Sequence, residues 1–95
     1  MHSEYSITGL SDNELQHVII DRTFVDKNGT RWIIDYKTGA HSGADIEDYL
    51  DREVLRYSLQ MQKYAKIIKQ IDDRDIKLGL YFPLMRQWRE WSYVE

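Results

Sequence analysis

Apolar positions along the chain fall first into short alternating runs, then into one long stretch spaced by threes and fours, then into short runs again. Glu4 to Thr8 reads as a short strand, followed by a polar turn through Gly9, Ser11, Asp12 and Asn13. Leu15 to Val25 predicts a longer strand, with Val18, Ile19, Ile20, Phe24 and Val25 as its apolar content. Asp26-Lys27-Asn28-Gly29 is a turn, and Thr30 to Lys37 is the next strand. Thr38 to Asp51 carries Gly39, Gly43 and scattered polar residues, which predicts a loop with no more than a short helical turn.

From Arg52 to Ile71 the period changes. Val54, Ser58, Met61, Ala65 and Ile68 fall on one stripe, with Leu55 and Ile71 beside it. The spacing predicts one helix of about five turns, ending before Asp72-Asp73. Leu78 to Leu84 is then a strand, and Trp88 to Val94 pairs with it as a hairpin. The expected fold is α+β: a mixed sheet of about five strands with one long helix, in the order β-β-β-α-β-β.

One helix covers one face of such a sheet. The alternation puts Val18, Ile20, Phe24, Trp32, Ile34 and Tyr36 on one face, and Ile19, Val25 and Ile33 on the other. The uncovered face would be an apolar patch that soluble monomers rarely tolerate. The chain is therefore expected to lack a covering segment and to self-associate as a symmetric dimer.

Composition narrows the function classes. At 95 residues the chain is one small domain, and 42% hydrophobic content with 13% aromatic excludes a disordered or low-complexity protein. No apolar run reaches 18 residues and the N-terminus carries no secretory signal, which predicts no membrane-spanning helix. The absence of cysteine excludes a disulfide framework and a zinc–thiolate site, and fits a reducing, cytoplasmic setting. A net charge of −3 argues against a free-standing DNA binder that works through a global positive field. Contact with nucleic acid would need further help, such as a metal ion held by acidic side chains.

The stretch Ile33-Ile34-Asp35-Tyr36-Lys37-Thr38-Gly39 supplies candidate chemistry. Period-two alternation puts Asp35 and Lys37 on the same face of their strand. Asp21 lies on the preceding strand, and the intervening turn decides whether it joins them. A two-residue Asn28-Gly29 loop would set Asp21 opposite Tyr36. A three-residue Lys27-Asn28-Gly29 loop would set it opposite Asp35, and local chemistry leaves both open. Two carboxylates facing across a strand pair are unfavourable unless a cation sits between them, and oxygen donors of this kind suit Mg²⁺ or Mn²⁺. The plainer alternative is an exposed Asp35–Lys37 ion pair at a strand end, which contributes little.

The sequences around Asp21 (Ile19 to Phe24), around Asp35 and Lys37 (Trp32 to Gly39) and around Gln60 and Tyr64 (Leu59 to Tyr64) occur in an order and spacing that resembles one family. The chain resembles the PD-(D/E)XK nuclease superfamily, specifically the RecB-type nuclease domain at the C-terminus of UvrD-like DNA helicases. Gln60 and Tyr64 fit the Q-x-x-x-Y helix motif of that subgroup. The resemblance implies a restriction-endonuclease-like fold and hydrolysis of DNA, with single-stranded ends as substrate and Mg²⁺ or Mn²⁺ as cofactor. It implies that Asp21, Asp35 and the Tyr36 carbonyl hold the metal, and that Lys37 positions the attacking water. It implies that Gln60 and Tyr64 contact DNA or brace the acids. Residues 1–95 would then be a C-terminal fragment of such a domain, attached to helicase motor domains in a bacterial cytoplasm.

The chain also departs from that pattern. Nothing before Glu4 can form the upstream helix that often completes the metal site, so the fragment alone is expected to cut DNA poorly. His2 and His17 read as surface residues, and His41 as a solvated loop residue within possible reach of phosphate. No G-x-x-x-x-G-K-[ST] loop is present, so ATP binding could belong only to a longer parent. Apart from the resemblance, Tyr64 reads as a core aromatic and Gln60 as a boundary residue. Arg52, Arg56, Lys63, Lys66 and Lys69 read as a solvated helix face or a phosphate-tracking edge. Trp88, Trp91, Tyr81 and Phe82 fit sheet packing better than stacking on bases. Two other functions remain open beside the nuclease: a catalytically silent DNA-binding module and a protein-docking domain.

Overall fold

The computed structural model describes residues 4–39, 41, 43 and 45–94, so His2 lies outside the described residues. Among these, six strands and one helix follow one another: β1 (Tyr5–Ser11), β2 (Glu14–Ile20), β3 (Arg22–Val25), β4 (Arg31–Tyr36), α1 (Ile46–Ile68), β5 (Ile76–Phe82) and β6 (Gln87–Ser92). The fold is α+β with the order β-β-β-β-α-β-β, compatible with a restriction-endonuclease-like architecture. The strands form a two-stranded ribbon, β1-β2, and a four-stranded sheet, β3-β4-β5-β6.

The ribbon turns at Asp12 and Asn13, with φ of 54° and 64°. Left-handed conformations at both positions suit a two-residue turn that follows the strand twist. Gly9 therefore lies within β1, whereas the sequence placed it in the turn. Its missing side chain is needed there: a Cβ would stand 2.6 Å from Cγ2 of Ile67, so glycine lets the ribbon lie against α1. Gln70 fastens the same crossing. Its Oε1 accepts the Leu10 N–H at 3.1 Å, and its Nε2 donates to the Leu10 carbonyl.

The antiparallel β3–β4 pair sets Arg22 opposite Ile34 and Val25 opposite Arg31. A three-residue loop closes it. The Asp26 N–H donates to the Thr30 carbonyl at 2.9 Å, and Gly29 takes φ of 83°, a conformation that costs other residues strain. The Asp26 carboxylate accepts from the Trp32 indole N–H, the Thr30 N–H and the Asn28 N–H, within 3.0 Å. These bonds, the one from Trp32 foremost, hold its carboxyl below the ordinary value.

β4 and β5 run parallel and α1 makes the crossover between them, as parallel pairing requires. The core lies under this helix. Leu50, Met61, Tyr64, Ala65, Ile67 and Ile68 of α1 pack on Ile33, Leu78, Leu80 and Phe82 of the sheet. The opposite sheet face carries no helix among the described residues. There Trp32, Tyr36, Tyr81 and Trp88 lie in contact, with ring centroids 6.0 to 6.5 Å apart.

Several boundaries differ from the sequence reading. The expected strand Leu15 to Val25 is broken at Asp21 into β2 and β3, which belong to different sheets. That break reverses the side-chain alternation. Val18 and Ile20 join Ile33 in the helix-covered core, where unbroken alternation had put them with Trp32 and Ile34. α1 begins at Ile46, inside the expected loop. Ile46, Tyr49, Leu50 and Val54 already carry helical spacing, and Glu47 and Asp48 in the first turn favour the dipole. Leu55 is exposed, and Ile71 lies beyond the helix. β5 and β6 each start and end one or two residues earlier than expected.

Candidate active site at the Asp21 bend

Asp21 occupies the bend between β2 and β3, and Asp35 lies near the end of β4. One step beyond the Arg22–Ile34 pair, the hairpin register brings Asp21 opposite Asp35. The Asp21 carboxylate accepts the Tyr36 N–H at 2.9 Å. Tyr36 thus directs its peptide N–H toward Asp21, while Lys37, next along, donates its own N–H to the Tyr81 carbonyl on β5. In an extended residue the carbonyl projects to the same side as the N–H, so the Tyr36 carbonyl borders the Asp21 side as well.

Asp35 is 8% exposed, one of only two buried polar residues among those described. Burial pushes its carboxyl up to about 6, and a hydrogen bond shared with Asp21 pushes the same way; Lys37 opposes both. The Lys37 ammonium stands 2.6 Å from Asp35 Oδ2. That ammonium also lies over the Tyr57 ring, 3.5 Å from its centroid. The structure therefore brings Asp21, Asp35, the Tyr36 backbone and Lys37 together.

Gln60 and Tyr64 sit one and two turns further along α1. The Gln60 amide donates to the Tyr64 hydroxyl at 2.5 Å. Tyr64 is part of the hydrophobic core, and both line an open depression with Gln16, His17, Val18 and Lys63, beside β2 rather than beside Lys37. A more voluminous depression, about 730 Å³, is lined by Lys63, Lys66, Lys69 and Tyr93. It holds a single acid, Asp12, already 3.9 Å from Lys66, and no carboxylate pair, so we place the candidate site at Asp21 and Asp35.

His17 and His41 make their contacts with residues other than Asp21 and Asp35. The His17 ring lies on the ribbon surface between the Ser6 and Thr8 hydroxyls, 2.9 Å from each. His41, expected as solvated, is half-buried and stacks on Tyr49 at 4.8 Å. Tyr57 is the neighbour that sequence reasoning missed. It shares the helical stripe of Met61 and Tyr64 at spacings of four and three, which was the signal available.

Among the described residues, no group of three or more histidine, aspartate or glutamate side chains could hold a metal. Two carboxylates are present. Lys37 offsets their mutual repulsion here, and a bound cation between them would do the same. An all-oxygen set of two acids and a backbone carbonyl fits a hard ion that keeps water and substrate oxygens as its other ligands.

No helix among the described residues is long and apolar enough to cross a membrane. No curated protein matches the sequence. Residues 14–89, which run from the start of β2 into β6, match the model of one protein family. That match covers most of the chain, and the chain belongs to the PD-(D/E)XK nuclease superfamily.

Proposed function

We propose that this chain is the nuclease module of a RecB-type DNA helicase-nuclease, hydrolysing phosphodiester bonds of DNA at the Asp21–Asp35–Lys37 cluster with Mg²⁺ or Mn²⁺. The observation that carries the reading is the buried Asp35 carboxyl, opposed across the strand pair by Asp21 and held 2.6 Å from Lys37. A buried carboxylate with a raised proton affinity, beside a second acid and a cation, is a functional-site candidate on physical grounds.

Asp21, Asp35 and the Tyr36 carbonyl would hold the ion. It would supply charge neutralisation on the scissile phosphate and a bound water acidified enough to attack it. Lys37, fixed at the site's edge, places a positive charge where negative charge develops on the phosphate oxygens. Gln60 and Tyr64 match the helix motif of RecB-type domains. Their depression beside β2, with Lys63 on its rim, suits a DNA strand leading to the acids. The helicase motor would belong to a longer parent chain. The aromatic sheet face would be covered in that parent, or by a second copy of this chain when alone.

Titration with Mg²⁺ or Mn²⁺, followed by NMR, tests the site. The signals of Asp21, Tyr36 and Lys37 should move before any others, and Asp35→Asn should abolish the response. Cleavage of labelled single-stranded DNA in Mn²⁺, even if slow, should fall by about a hundredfold or more in Asp35→Asn. A variant that binds the ion as tightly as wild type would place the metal elsewhere and remove the chemical support for the nuclease.

A further inference from the structure

Lys37 lies just past the end of β4, where the strand fixes its backbone but leaves a long, flexible stem to be placed. Two groups receive its ammonium. One is Asp35, at 2.6 Å, and the other is the ring of Tyr57, at 3.5 Å from the centroid. The distance to the ring is well inside the range of cation–π attraction, which strengthens when the cation is shielded from water. The Lys37 side chain is only 16% exposed.

Tyr57 is anchored for this task. It is half-buried in the middle of α1 and packs against the core, so its position is set by the helix and the sheet beneath. About two turns earlier, α1 also meets the segment after β4 through Tyr49, which stacks on His41. The helix thus touches the Lys37 side of the chain at two separate points.

We infer that Tyr57 is the positioning residue for Lys37, a ring-face seat that keeps the ammonium at the carboxylate pair when Asp35 can no longer hold it. The inference rests on the proposed nuclease reading for its consequence, and on the geometry alone for the seat. The physical need is specific to the working state. A divalent ion on Asp35 would take up that carboxylate's charge and repel the ammonium. The neutral ring face attracts a cation without competing for the metal, so it is the attachment that would survive.

NMR of the Lys37 ε-methylene tests the seat without any need for activity. In the wild-type protein its proton signals should lie clearly upfield from ring-current shielding, and should remain so with Mg²⁺ added. Tyr57→Leu, which keeps apolar bulk but removes the ring, should return them to the ordinary lysine position. Tyr57→Phe should keep them upfield. Unshielded ε-protons in the wild type would overturn the proposal even if the leucine variant fails to fold. In cleavage assays Tyr57→Leu should lower kcat about tenfold with KM little changed, and Tyr57→Phe should rescue it. Wild-type kcat in Tyr57→Leu would also overturn it. Shielded ε-protons in a chain that shows no metal response at Asp21 and Asp35 would uphold the seat and sink the nuclease reading instead.

Discussion

The Asp21 carboxylate accepts a hydrogen bond from the Tyr36 backbone N–H, 2.9 Å away. Through this bond the bend that separates β2 from β3 is tied to the end of β4. The acid is thereby fixed at Tyr36, the residue between Asp35 and Lys37, whose side chains form the rest of the candidate site.

The pH dependence of stability should report Asp35. Its folded value, about 6, stands above the ordinary 3.8. Between those values the folded protein holds a proton that the unfolded chain has released, so stability falls as pH rises. The contribution is fully present below about 3.8 and lost above about 6. Urea unfolding at a series of pH values should show this decline in the metal-free wild type, and Asp35→Asn should flatten it. Parallel curves for the two proteins would show that Asp35 is ordinarily solvated.

Gly29 should be needed for the hairpin register. With φ of 83°, an alanine there carries the strain of a left-handed conformation. Gly29→Ala should cost about 1 kcal/mol in urea unfolding, and Gly29→Asn less. An alanine variant as stable as wild type would mean that the three-residue loop is not the one formed.

The aromatic sheet face should make the isolated chain associate. Tyr36 and Tyr81 remain exposed there, beside Trp32 and Trp88. Sedimentation should give a mass that rises from monomer toward dimer with concentration, and Tyr36→Ser combined with Tyr81→Ser should weaken the rise. A monomer at every concentration tested would show that this face needs no cover.

What the sequence determined by itself is local. Strand alternation puts Asp35 and Lys37 on one face wherever that strand lies, and four-residue spacing puts Gln60 beside Tyr64 on any helix. The long helix and the strands around it were legible because apolar periodicity records which face each segment buries. The tertiary structure decided whatever depended on a choice between segments. Asn28-Gly29 suits two loops. The bonds that the Asp26 carboxylate makes to Asn28, Thr30 and Trp32 belong to the one that sets Asp21 opposite Asp35. The bend at Asp21 resets the phase of alternation, so Val18 and Ile20 share a core with Ile33 that uninterrupted counting assigns to the other face. The meeting of Tyr57 with Lys37 spans twenty residues and depends on how α1 crosses the sheet. Alternation and spacing are properties of neighbours along the chain, whereas contact between elements is fixed only when their buried faces are packed together.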